Sequence, residues 1–136
     1  MPCFIVREQE AKKLGHVELL GKVNKKARLS QAIKSPISDN MTAGYIKLDP
    51  GYHREIVSPL DEIDLLLEGS LTYAFDNTSF TAQKGDIVFI KKGTKAKFST
   101  EEGCFAFYVT YPLFQETIDA LAKQSKEEQR LSGEGE

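Results

Sequence analysis

From residue 41 to residue 112 the chain alternates short apolar runs with polar punctuation. The runs are MTAGYIKL, EIDLLLEG, SLTYAF, SFTAQ, DIVFI, KAKFS and FAFYVTY, all rich in β-branched, aromatic or aliphatic residues, as strands are. Between them stand DPG, EGS, DNT, KGD, KKGT and EEG, which supply Gly, Asp and Asn where turns need them. SLTYAF and SFTAQ on either side of DNT predict a hairpin in which Asp76 and Asn77 take unusual backbone angles. Closely spaced strands with no helix between them, and no crossover long enough for a parallel pair, predict an all-β single domain. It would be an antiparallel sandwich or a closed barrel.

The flanks read differently. Residues 1–40 mix short apolar pieces with lysines and keep no sustained period, so they read as an N-terminal extension with short elements before a barrel at 41–112. Beyond it, Phe114, Ile118, Leu121 and Ala122 recur at helical spacing behind Pro112, predicting a C-terminal α-helix that ends in a polar tail, KEEQRLSGEGE. Such a helix either caps an open end of the barrel or docks on a partner.

Composition narrows the class. In 136 residues there is room for one core, and 20 acidic against 18 basic residues give no positive field for nucleic acid. No apolar run approaches the roughly 18 residues of a membrane helix. MPCFIVREQE has no basic segment leading into a long apolar stretch, so a cytoplasmic chain without a secretory signal is expected. Cys3 and Cys104 suit a reducing compartment and exclude a disulfide framework or a zinc knuckle.

Two segments, DEIDLLLEGSLTYAF and AQKGDIVFIKKGTKAKFS, resemble the cupin superfamily, whose fold is a jelly-roll β-barrel. Glu62 and Gly69 have the spacing that ends its first motif, and Gly85 and Gly93 the spacing of its second. Within the cupins, TAGY (42–45), DEIDLLLEG (61–69), GDIVFIKKG (85–93) and FYVTYP (107–112) resemble the EutQ family of ethanolamine-utilisation proteins. That resemblance implies a role in ethanolamine breakdown within bacterial microcompartments, contact with shell proteins, and an acetate kinase activity using ATP and Mg²⁺. A homodimer is expected too, since many cupins pair through a sheet edge. The alternative is a non-catalytic module that binds a small metabolite or helps assemble the compartment.

The resemblance also sets an expectation about metal. Cupins ordinarily hold a divalent ion with three histidines and one glutamate, a set suited to iron, manganese or zinc. The first-motif histidines fall here on Ile56 and Ser58, or on Glu55 and Val57; the second-motif histidine falls on Ala96. Of that set only Glu62 remains, and a metal-free cupin is expected. A displaced site from His53, Glu55, Glu62 and Asp64 is the alternative.

Glu62 and Asp64 are two apart on one strand and share a face. Facing outward they would be a solvated pair. Facing inward, as Glu62's match to the barrel-facing ligand position implies, they would be catalytic candidates whose burial and mutual repulsion raise a carboxyl pKa. The strand tyrosines Tyr45, Tyr73, Tyr108 and Tyr111 have rings that can pack while their hydroxyls reach a pocket; of these Tyr45, Tyr108 and Tyr111 are ligand-binding candidates, with His53 and Glu55 beside the first motif and Lys91 as an anion contact at the barrel mouth. For each tyrosine the alternative is core packing, and for Lys91 a solvated turn.

Overall fold

The computed structural model describes residues 3–19, 22–34 and 37–112, with the side chains of residues 17–24 left aside. The helix expected from Phe114 onward and the polar tail lie outside the described residues. A four-residue helix α1 (Glu8–Ala11) precedes nine strands: β1 (Gly15–Leu19), β2 (Lys22–Leu29), β3 (Thr42–Leu48), β4 (His53–Val57), β5 (Asp61–Phe75), β6 (Thr78–Gln83), β7 (Ile87–Ile90), β8 (Lys95–Ser99) and β9 (Cys104–Tyr111).

All pairings are antiparallel, and the strands run β1-β2-β3-β9-β5-β8-β4, with β6 and β7 also on β5. The long strand β5 is the seam. Residues 61–69 pair with β9 and residues 62–65 with β7; residues 70–75 pair with β6 and residues 72–74 with β8. One strand therefore serves two sheets, and the curled sheet closes over a common interior as a jelly roll.

The change of sheet has a local cause. A β-bulge between Leu66 and Glu68 leaves Leu67 without a register partner on β9 and bends the strand. Gly69 follows at φ +75°, and a Cβ there would stand 2.1 Å from the Gly103 carbonyl oxygen. Only glycine fits. EGS therefore lies inside β5 and is not the turn its composition suggested. The turn at Asp76–Asn77 does form, with both residues at positive φ (46° and 62°).

Two further elements went unannounced by the apolar pattern. HREIV forms β4, although its sequence is too polar to read as a strand. In the N-terminal region β1 and β2 form a hairpin whose second strand pairs Ala27 with Leu48 and Leu29 with Ile46 on β3. The interior packs Leu48, Leu66, Leu71, Tyr73, Val88, Ile90 and Ala106, drawn from both sheets. Burying such side chains is worth roughly 1.5–3 kcal/mol each.

Candidate functional site

Strand alternation decides which face looks inward. On β5, Asp64 is 4% exposed whereas Ile63 is 45% exposed, so Glu62, Asp64 and Leu66 point into the barrel and Ile63 points out. Register then supplies the neighbours. Across β9, Glu62 faces Thr110 and Asp64 faces Tyr108; across β7, Glu62 faces Ile90 and Asp64 faces Val88.

The two acids form a coupled pair. Burial and then the Asp64 charge push the Glu62 carboxyl well above the usual range. Burial also raises Asp64, opposed by hydrogen bonds from Glu62 and Tyr73. Two carboxyls this close in a poorly solvated interior titrate as a pair and not singly. Tyr73 donates its hydroxyl to Asp64 Oδ2 at 2.9 Å, and its own pKa is raised, by burial first and then by that acid. Asp64 Oδ1 and Thr110 Oγ1 are buried without a hydrogen-bond partner. Two orphaned polar atoms on adjacent strands, beside the acid pair, depart from the rule that buried polar groups are hydrogen-bonded.

A groove of about 480 Å³ opens between β5, β6, β7 and β8. Its floor carries Tyr73, Val88, Ile90 and Ala96, and its rim carries Lys91, Lys95 and Asp76. Val88 and Ile90 are the β7 register partners of Asp64 and Glu62, so the groove reaches the residues that flank the acids.

The structure thus brings together Glu62, Asp64 and Tyr108 in the interior, and sets Lys91 at the groove rim. It places the other candidates elsewhere. Tyr45 lies on the outer face, stacked on Phe105 at 5.3 Å beneath the Lys12 ammonium. His53, Glu55 and Tyr111 are exposed on alternate positions of their strands, away from the acids. The displaced set of His53, Glu55, Glu62 and Asp64 is not assembled. Tyr108 donates to the Ser30 carbonyl at 2.6 Å, which ties the interior of β9 to the end of β2. Buried Cys104 has its thiol pushed up to about 12, by burial and then Asp64, the opposite of a nucleophile's shift.

Thr110 completes the site without having been singled out as a member, and Tyr73 enters it from the set of strand tyrosines. Thr110 was within reach of simple alternation from Tyr108. The meeting of Tyr73 with Asp64 was not: its odd number puts it on the opposite face from Asp64 on an unbroken strand, and only the bulge after Leu66 brings both inside.

The cupin metal positions test poorly against these side chains. Ile56 and Ala96 are register partners on β4 and β8, Ser58 is buried with its hydroxyl donated to the Leu60 carbonyl, and Glu62 is the one carboxylate. An alkyl group, a methyl and a committed hydroxyl do not ligate a transition metal. Among the described residues, no three His, Cys, Asp or Glu side chains gather as such a site requires. No described helix is long and apolar enough to cross a membrane.

A jelly roll whose inner face carries the Glu62 motif position is a cupin, and the solved structures agree on the fold. A cupin superfamily protein from Desulfitobacterium hafniense superposes with a TM-score of 0.57 at 13% identity, covering 65% of this chain and 79% of that one. The chain belongs to the family of the ethanolamine utilisation protein EutQ, whose model matches residues 9–116. The EutQ protein of Clostridium difficile superposes with a TM-score of 0.60 at 26% identity over 64% of this chain and 63% of that one. Three relatives carry the name acetate kinase EutQ, and two of them show how far the overlap runs. That from Clostridioides difficile strain 630 is 40% identical over 52 residues, which is 38% of this chain and 33% of the relative. That from Salmonella typhimurium is 30% identical over 84 residues, 62% of this chain and 36% of the relative. The chain spans about a third of the length of these curated relatives.

Proposed function

We propose that this chain serves ethanolamine utilisation as a cupin that holds a small polar molecule against the Glu62–Asp64 pair and exchanges a proton with it. Family membership supports the pathway. The observation that carries the chemistry is the orphaned Asp64 Oδ1 beside Thr110 Oγ1, next to a carboxyl pair whose pKa values are raised by burial. A guest with a donor group would satisfy both atoms, and a pair that titrates nearer neutrality can give or take a proton at working pH. Tyr73 orients Asp64 and stays protonated itself. Pairing with a second copy and association with a compartment shell are proposals that accompany this reading.

A second reading is phosphoryl transfer between ATP and acetate, favoured by the name of the curated relatives. Two carboxylates, one with a free oxygen, are donors of the kind Mg²⁺ accepts, so Glu62 and Asp64 would hold it. When bound, the ion would neutralise charge on a phosphate. The chain's own cations near the groove, Lys91 and Lys95, would position that phosphate at the mouth.

One assay separates the readings. ATP-dependent acetyl phosphate formation by the purified protein, abolished by Glu62→Gln, is the outcome expected of phosphoryl transfer. A folded protein without that activity, in which the Glu62 and Asp64 carboxyl resonances shift on adding ethanolamine or acetate, supports proton exchange with a bound metabolite alone. Activity unaffected by Glu62→Gln would contradict both.

A further inference from the structure

The outer face of β5, β7 and β9 is apolar where a sheet facing water would be polar. Register sets Ile63 beside Phe89 on β7 and Val109 on β9, and Leu65 beside Ile87 and Phe107. Tyr111 closes the row at the end of β9, opposite Asp61, whose Oδ1 accepts the Lys92 backbone N–H at 2.8 Å. Ile87 is 72% exposed, and Ile63, Phe89 and Tyr111 are exposed with it. An antiparallel sheet with one face on the core ordinarily turns polar residues outward. A contiguous apolar patch rimmed by polar residues marks a surface that something covers.

At the β3 end of the same face the N-terminal region supplies a cover. Lys12, just past α1, stands 5.6 Å from the centre of the Tyr45 ring and 5.5 Å from that of Phe105. At the β7 end, nothing among the described residues shields Ile87 or Phe89 in this way. The chain itself offers an occupant. β9 ends at exposed Tyr111, so the residues that follow start from the edge of this face. Residues 113–136 lie outside the described residues, and in their sequence Phe114, Ile118, Leu121 and Ala122 recur at helical spacing. Gln115, Glu116, Asp119 and Lys123 take the opposite side. A helix over 114–122 would be about 13 Å long, against about 10 Å from β9 across β5 to β7. So short a helix is marginal in water and needs a surface for its apolar stripe. The match to the family model ends at residue 116, so most of this stripe lies beyond it.

We propose that residues 114–122 dock on the outer face of β5, β7 and β9, laying Phe114, Ile118 and Leu121 against Ile63, Ile87 and Phe89. The docked segment takes the patch out of water and closes this face to a second copy. Pairing between copies is then left to the strand edges. The docking is independent of the Glu62–Asp64 site, which lies on the inner side of the same strands.

Amide hydrogen exchange on the full chain tests it. Residues 114–122 should exchange about tenfold or more slowly than an unstructured peptide of the same sequence. The double variant Ile87→Asp/Phe89→Asp should return them to the unstructured rate. The β9 amides from Cys104 to Thr110 should keep their protection in that variant and show that the barrel still folds. Ile118→Asp/Leu121→Asp, which leaves every barrel residue in place, should release the segment in the same way. Mild oxidation of Phe89→Cys/Ile118→Cys, in a Cys3→Ser background, should give a disulfide within one chain. A segment that exchanges freely in wild type, or protection indifferent to either double variant, overturns the proposal. Protection that fades on dilution, or a disulfide that does not form within one chain, overturns it too. A disulfide between chains would put a second copy on the face instead.

Discussion

Near Glu62 the faces of β5 and β9 run against ordinary sheet patterning, and β7 beside them is apolar on both faces. Inward stand Glu62, Asp64, Tyr108 and Thr110; outward stand Ile63 at 45% exposure, Ile87 at 72% and Phe89 at 60%. A sheet that merely builds a core puts its acids in water and its isoleucines inside. Here the interior near the bulge accepts the desolvation of two carboxyls, while its other half, around Leu48, Leu66, Leu71 and Ala106, supplies the apolar packing. The contrast separates an apolar end of the interior, which supplies stability, from a polar end, where we place the proposed guest.

The sharpest way to break that contrast is at the bend. Gly69→Ala sets a Cβ 2.1 Å from a backbone oxygen at φ +75°, so it should destabilise by roughly 3 kcal/mol or more and cost β5 its switch between sheets. A thermal or urea melt reads this directly. Next comes the tie between the halves. Tyr73→Phe removes the hydroxyl that donates to Asp64 Oδ2 and should lower stability by about 1–3 kcal/mol while raising the Asp64 pKa further.

Glu62→Gln should act with the opposite sign. The folded pKa of Glu62 lies above its unfolded value, so its favourable contribution is present at low pH and is lost as pH rises through the folded pKa. The glutamine variant keeps a donor for Asp64 and escapes that loss. It should be more stable than wild type at neutral pH by on the order of 1 kcal/mol, a gain that vanishes near pH 4. Paired melts across this pH range check the trend. Smallest of all is the outer face, where Ile87→Thr should lower stability by about 0.5–1 kcal/mol, its share of the docking proposed for residues 114–122. No loss there would mean that the face stands in water.

Much of this was legible in the chain. Turn residues marked out most strands, and Glu62 with Gly69 marked the interior. What escaped was whatever alternation cannot carry through an irregularity. The bulge after Leu66 shifts parity, so Tyr73 joins Asp64 against its number. β4 escaped because HREIV shows water His53 and Glu55 and takes its apolar share from Ile56 and Val57 alone. Tyr45 misled because a tyrosine next to a core position looks the same whether its ring packs inside or beneath Lys12. The groove was invisible for another reason: Phe80, Lys91 and Lys95 come from three strands or turns and meet only after β5 has changed sheets.

The central claim is that Glu62 and Asp64 share a buried proton beside an unfilled polar site. Carboxyl-carbon NMR titration of the folded protein from pH 3 to pH 9 tests it most directly. The account predicts coupled titration of the two resonances, at least one midpoint standing well above the ordinary carboxylate range, and a return toward that range for Asp64 in Glu62→Gln. Two independent titrations near pH 4 would show both acids in water and contradict the site as described.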